Sequence, residues 1–281
     1  PLGFFALAIL PTQDLLFNLT TASGCCAGNC LRYNTVMGNT EYSDLRPSPI
    51  AGSWYPGKAP ELRALVEAFL EKAAAPALSG DIQALLVPHA GLVYSGLTAA
   101  HAFKTLIGSC FSRVILLSPS HQYYREPLLS SGHEAYATPL GPVPVDREAL
   151  SSLRALLLVS RGPDITPIRR DREHSLEIEL PFLQVVLPQG FSLVPLMLVN
   201  QSLDLVSALS TALAGYLLTL PPEEKTLLVA SSDLSHFYTE EQANQLDKRV
   251  LSALKAMDVF ELFTLNASGK GQACGMAPIL T

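Results

Sequence analysis

Ile82-Gln83-Ala84-Leu85-Leu86-Val87-Pro88-His89-Ala90-Gly91 runs from an apolar segment straight into a proline, a histidine and a glycine. A short apolar run bounded by Pro and Gly reads as a strand covered on both faces. The same transition recurs twice. Val114 to Leu117 gives way to Ser118-Pro119-Ser120-His121, and Thr226 to Ala230 gives way to Ser231-Ser232-Asp233-Leu234-Ser235-His236. Phe191 to Val199 reads as a further strand.

Helical spacing separates these strands. Leu62, Leu65, Val66 and Leu70 mark a helix over Pro60 to Ala75, and helices are predicted over 97–106, 147–157, 203–218 and 240–256. Ser175 to Val186 is also helical in pattern, with Pro181 expected to kink or divide it. Pro127 to Pro144 carries enough Pro and Gly to be a loop or hairpin. Alternating strands and helices predict an α/β domain, its central sheet largely parallel or mixed and flanked by helices.

That alternation starts near residue 45. Residues 1–44 contain no Lys, and their first basic residue is Arg32. They read as an atypical N-terminal extension, disordered or non-native, ahead of one α/β domain over 45–281. Cys25, Cys26 and Cys30 crowd this extension but lack the second ligand pair that zinc sites use. With Cys110 and Cys274 the cysteine count is odd, which fits reduced thiols in the cytoplasm rather than a disulfide framework. An apolar helix begins at Ala277 and the sequence stops at Thr281, so the domain is expected to be incomplete at its C-terminus, with lower stability.

Composition excludes several classes. Across 281 residues the formal net charge is −6, and the densest basic patch, Arg169, Arg170 and Arg172, is interrupted and followed by acidic residues. Nucleic-acid binding needs Lys and Arg clusters that displace counterions, so no nucleic-acid partner is expected. The mean hydropathy of +0.27 raises the question of a membrane span. The longest apolar run, Val206 to Leu220, is broken by Ser and Thr and ended by Pro221, short of the ~20 residues a span needs. Gly3 to Leu10 has the apolar character of a signal-peptide core but no basic residue before it.

Ligands of α/β sheets sit beyond the carboxyl ends of the strands, so His89, His121 and His236 should converge on one polar site. His174, at the start of its helix, could face the same crevice. His101 and His133 are expected at the surface. Imidazole suits both metal ligation and proton transfer. Two His with an anionic third ligand fit iron, and a thiolate third ligand favours copper or zinc or retunes iron. Cys274, between Gly271 and Gly275, could approach such an ion, while Asp233 and His236 could support it or form an acid–base pair. Glu173, Glu177 and Glu179 read as a solvated helix face. No P-loop, dinucleotide fingerprint, zincin motif or nucleophile elbow is present.

Six ordered blocks carry a resemblance. They are Arg46-Pro47-Ser48-Pro49-Ile50-Ala51-Gly52-Ser53-Trp54-Tyr55-Pro56; Pro88-His89-Ala90-Gly91 with Tyr94-Ser95-Gly96; Ser118-Pro119-Ser120-His121; Glu173-His174-Ser175-Leu176-Glu177; Ser231-Ser232-Asp233-Leu234-Ser235-His236; and Cys274-Gly275. Together they resemble the Memo family, also called AmmeMemoRadiSam system protein B. The resemblance implies a fold similar to LigB-type class III extradiol dioxygenases. It implies an iron or copper site on His89, His121 and Cys274, surrounded by Asp233, His236 and His174 as catalytic residues. It further implies partnership with radical-SAM and AMMECR-type pathway proteins. Two functions follow as expectations: a metal-dependent, dioxygenase-like redox enzyme, or a non-catalytic protein binding a metal, small-molecule or peptide ligand in the same cleft.

Overall fold

A computed structural model describes residues 7–9, 41–76, 78 and 80–281. The larger sheet contains β1 (Leu7–Ile9), β3 (Ala84–Val87), β4 (Arg113–Pro119), β5 (Leu128–Ser131), β8 (Thr166–Ile168), β9 (Ser192–Leu198) and β10 (Thr226–Ser231). Its order is β1-β3-β10-β4-β9-β5-β8. The centre, β3-β10-β4-β9, is parallel, while β1 and the β9–β5 pairing are antiparallel. The sheet is therefore mixed, as expected. A smaller sheet joins β2 (Leu45–Arg46), β6 (Ala135–Thr138) and β7 (Gly141–Pro144) in the order β2-β6-β7. The Pro- and Gly-rich segment thus supplies β5 and a β6–β7 hairpin.

The helices are α1 (Ala59–Lys72), α2 (Leu92–Phe103), α3 (Arg147–Val159), α4 (Leu180–Val186), α5 (Leu203–Leu217), α6 (Glu240–Lys255), α7 (Val259–Ala267) and α8 (Met276–Leu280). Leu62, Val66 and Leu70 form the buried stripe of α1. Side chains of Asp146 and Ser202 cap α3 and α5, and Thr239 with Gln242 makes a capping box on α6. Pro181 resolves as a helix start. A 3-10 turn over Glu177–Glu179 ends there, and Pro181 occupies the first turn of α4, where its missing N–H has no intrahelical partner to lose. The helix predicted from 97 begins at Leu92, immediately after the Pro88–Gly91 block.

Helices pack against the sheet, and β3, β4 and β9 are almost wholly buried. The low charge of the chain reflects this double coverage. No helix among the described residues is long and apolar enough to cross a membrane. The N-terminal cysteines 25, 26 and 30 lie outside the described residues.

Candidate metal centre

The parallel centre explains the convergence. β10 lies between β3 and β4, so their carboxyl ends share one edge. His89 stands two residues beyond β3, His121 two beyond β4 and Asp233 two beyond β10. Adjacent strands are ~4.8 Å apart, so His89 and His121 can lean toward each other across β10. Their ring centroids are 5.3 Å apart and nearly perpendicular.

Cys274 reaches this edge from the C-terminal segment. Its backbone N–H donates to the Asp233 carbonyl over 3.1 Å, and the Asp233 N–H donates to its Sγ over 3.2 Å. Gln201 clamps the loop, donating to the Cys274 carbonyl and accepting from the Ala277 N–H. Cys274 Sγ lies 3.1 Å from His89 Nε2. The ligand atoms of His89, His121 and Cys274 all fall within 4.8 Å of one another.

Both imidazoles are oriented from behind. His89 Nδ1 lies 2.8 Å from Ser231 Oγ, and His121 Nδ1 lies 2.9 Å from Glu173 Oε1. Glu173 also accepts the backbone N–H groups of His121, His174 and Ser175. Burial alone would raise its pKa, but these donors hold it far below the usual carboxylate range. With four donors engaged, Glu173 has little capacity left for a cation, so the nearby His121, Glu173 and His174 group is a support for the site. Hydrogen bonds to Cys274 and Glu173 raise the His121 pKa to about 10. Burial pushes the Cys274 thiol up, yet the bonds to His121 and His89 prevail and bring it down to about 6. Without a cation, His121 and Cys274 therefore form an imidazolium–thiolate pair beside the His89 ring, and a metal held here would displace the His121 proton to gain two imidazoles and a thiolate.

The other expected residues are placed unequally. His174 stacks on His121 at 4.7 Å, with Trp54 at 4.2 Å. Burial, opposed by Glu173 and reinforced by the neighbouring His121, lowers its pKa to about 4, so it is neutral at pH 7. Asp233 Oδ1 accepts the N–H groups of His89 and Ala90, and Oδ2 lies 4.0 Å from His89 Nε2. His236 is exposed and bonds the Leu234 carbonyl through Nδ1. No described contact joins it to the trio.

Several roles escaped sequence reasoning. Glu173, Glu177 and Glu179 are buried, at 1%, 0% and 1% exposure, contrary to the solvated face expected of them. Glu173 lies in irregular backbone and bonds His121, while a 3-10 turn carries Glu177 and Glu179 inward, toward Arg46 and Ser231. Arg46 is buried too, bonded to Asp171, Glu177 and the Glu173 carbonyl. His133 is another correction: it is buried, with Nδ1 2.7 Å from Asp44, whose carboxylate supplies the polar partner its burial requires. His101 is half-buried and bonds the Ala74 backbone. The apolar residues interleaved with and following the glutamates, Leu176, Ile178 and Leu180, were the signal for burial.

These features define a mixed α/β protein with a His, His and Cys cluster at the carboxyl edge of its parallel strands. The description "Memo-like protein" belongs to the family model that matches residues 46–281. Among curated relatives, the chain is 33% identical over 238 residues to a MEMO1 family protein of Methanococcoides burtonii, covering 84% of each chain. It is 32% identical over 249 residues to one of Methanobrevibacter smithii, covering 84% of this chain and 86% of the relative. Another, from Aquifex aeolicus, is 31% identical over 234 residues, covering 83% of each. The chain belongs to the Memo-like family.

Proposed function

We propose that this Memo-like protein binds one iron or copper ion through His89, His121 and Cys274 and is a dioxygenase-like redox enzyme acting in the cytoplasm. One observation carries the reading: three ligand atoms lie within 4.8 Å of one another, on side chains held from behind. The donor set fits a first-row ion. Two imidazoles suit iron and copper alike, and the thiolate favours copper or retunes iron. Such an ion, when bound, supplies electron transfer toward O2 or a coordinated substrate.

The protein's own groups supply position and proton handling. Ser231 and Glu173 fix the two rings, as outer-shell partners do in metal sites generally. Asp233 ties the His89 loop to the Cys274 loop. His174 is the neutral imidazole beside the trio, suited to accept a proton, and His236 is the solvent-facing one. Radical-SAM and AMMECR-type proteins are the pathway partners that this reading carries.

A second reading, a ligand-binding protein without catalysis, is favoured by the aromatic residues beside the site loops. Tyr123 and Phe237 are 94% and 99% exposed. Phe237 also holds a positive φ of 68°, a conformation that costs a non-glycine residue energy.

Metal quantification after anaerobic purification, with O2 uptake measured on catechols and thiols, tests both. Stoichiometric iron or copper that is lost in His89→Ala and His121→Ala is the expected result. Unchanged metal content in those variants overturns the site, and stoichiometric metal without O2 uptake supports the binding reading.

A further inference from the structure

Glu179 is a buried carboxyl group to which the metal reading assigns no task. It is 1% exposed and forms no ion pair among the described residues. Its one described side-chain partner is Ser231, 2.9 Å from Oε1. Ser231 Oγ has two further neighbours, the Ser175 carbonyl at 2.6 Å and His89 Nδ1 at 2.8 Å.

One hydroxyl hydrogen must be shared among three contacts. The Ser175 carbonyl can only accept, and an oxygen pair at 2.6 Å requires a hydrogen between them, so Ser231 donates there. Its lone pairs are then left for the other two neighbours, which must each bring a hydrogen. Glu179 satisfies this only as a carboxylic acid, and His89 only with its proton on Nδ1. Burial, with Asp233 adding repulsion, raises the Glu179 pKa well above the ordinary value, in keeping with that count.

We propose that Glu179 is a positioning residue: as a neutral acid it donates to Ser231, which then accepts Nδ1–H of His89 and reserves Nε2 for the ion. A carboxylate at this point would compete for the Ser231 hydrogen and loosen that assignment. The inference rests on the metal reading only for what Nε2 receives; the proton on Nδ1 belongs to the metal-free protein as well, where Nε2 faces Cys274 Sγ at 3.1 Å.

Two measurements on the full chain test it. Infrared difference spectra between the wild type and Glu179→Gln at pH 7 should show the carbonyl stretch of a protonated carboxyl, lost in the variant; a carboxylate band lost instead overturns the proposal. Nitrogen-15 NMR of His89 in metal-free protein should show Nδ1–H in the wild type. Glu179→Gln, whose amide N–H can still donate to Ser231, should keep it, whereas Glu179→Leu should lose the Nδ1–H preference. Iron or copper affinity should fall roughly 10–100-fold in Glu179→Leu and recover within a few-fold in Glu179→Gln. An unchanged tautomer in Glu179→Leu, or equal disturbance in both variants, overturns the proposal. If Glu179→Leu does not fold, the infrared result decides. A wild type with the expected band and tautomer that takes up neither metal would defeat the metal reading and leave this inference standing.

Discussion

Gly275 packs so tightly on β10 that a β-carbon at this position would sit 2.5 Å from the Ser231 carbonyl oxygen and 2.8 Å from Ser232 Cβ. Backbone, rather than a mobile side chain, stands in the way. The absence of a side chain here is what lets Cys274 approach His89. Gly275→Ala should therefore push the Cys274 loop off the strand. We expect metal content to fall as in Cys274→Ser, with a stability loss of about 1–3 kcal/mol. Metal analysis with denaturant unfolding checks this, and full metal retention would contradict it.

Glu173 is the buried anchor of His121 and of three backbone N–H groups. Glu173→Gln keeps the shape but turns an amide N–H toward some of these donors. Outer-shell changes of this kind typically cost 10–100-fold in metal affinity, and we expect a loss in that range. Competition with a chelator of known affinity would measure it. A change under about threefold, judged against that range, would show that His121 is held by its strand end alone.

In metal-free protein the Cys274 thiol, brought down to about 6, should be largely thiolate at pH 7. Its alkylation by iodoacetamide, followed by peptide mass spectrometry, should show a pH midpoint near that value. His121 is the larger of the two bonds favouring the thiolate, so His121→Ala should move the midpoint upward, toward the ordinary value of about 8.5. A downward or absent shift would refute the pairing.

Asp146 reports on pH and stability. Burial raises its pKa, but the Ala149 N–H, Arg113 and Ser192 together hold it below the ordinary value. A depressed folded-state pKa means that its stabilisation is present above the unfolded value of about 3.9 and is lost as pH falls through the folded one. Asp146→Asn should thus cost about 1 kcal/mol at pH 7, with the gap closing in acid. Thermal melts of both proteins at pH 7 and across the acid range measure this. A constant gap would mean that the charge is not involved.

Arg46 is the shared cation of a buried acidic pair, bonding Asp171 and Glu177 while all three side chains are nearly inaccessible. Removing it leaves two buried carboxyl groups with hydrogen-bond donors but no cation. Arg46→Ala should destabilise by about 3–5 kcal/mol, readable by chemical denaturation. Double substitution with Glu177→Gln should recover part of that loss.

The sequence by itself determined the four central strands, because both-face burial demands continuous apolar runs such as 84–87 and 114–117, and these need no tertiary information to read. It also determined that His89 and His121 share a neighbourhood, since each directly follows a strand of one parallel sheet. Strand order was beyond it: that β10, late in the chain, lies between β3 and β4 is a long-range pairing that no local pattern encodes. So was the fate of the glutamates at 177 and 179, and of Glu173 in the irregular backbone before them. A 3.6-residue pattern says which side of a helix is polar but cannot say that the helix gives way to a 3-10 turn at the sheet edge. Only the tertiary structure turned that polar face inward, where Arg46, His121 and Ser231 supply the hydrogen bonds that make its burial tolerable.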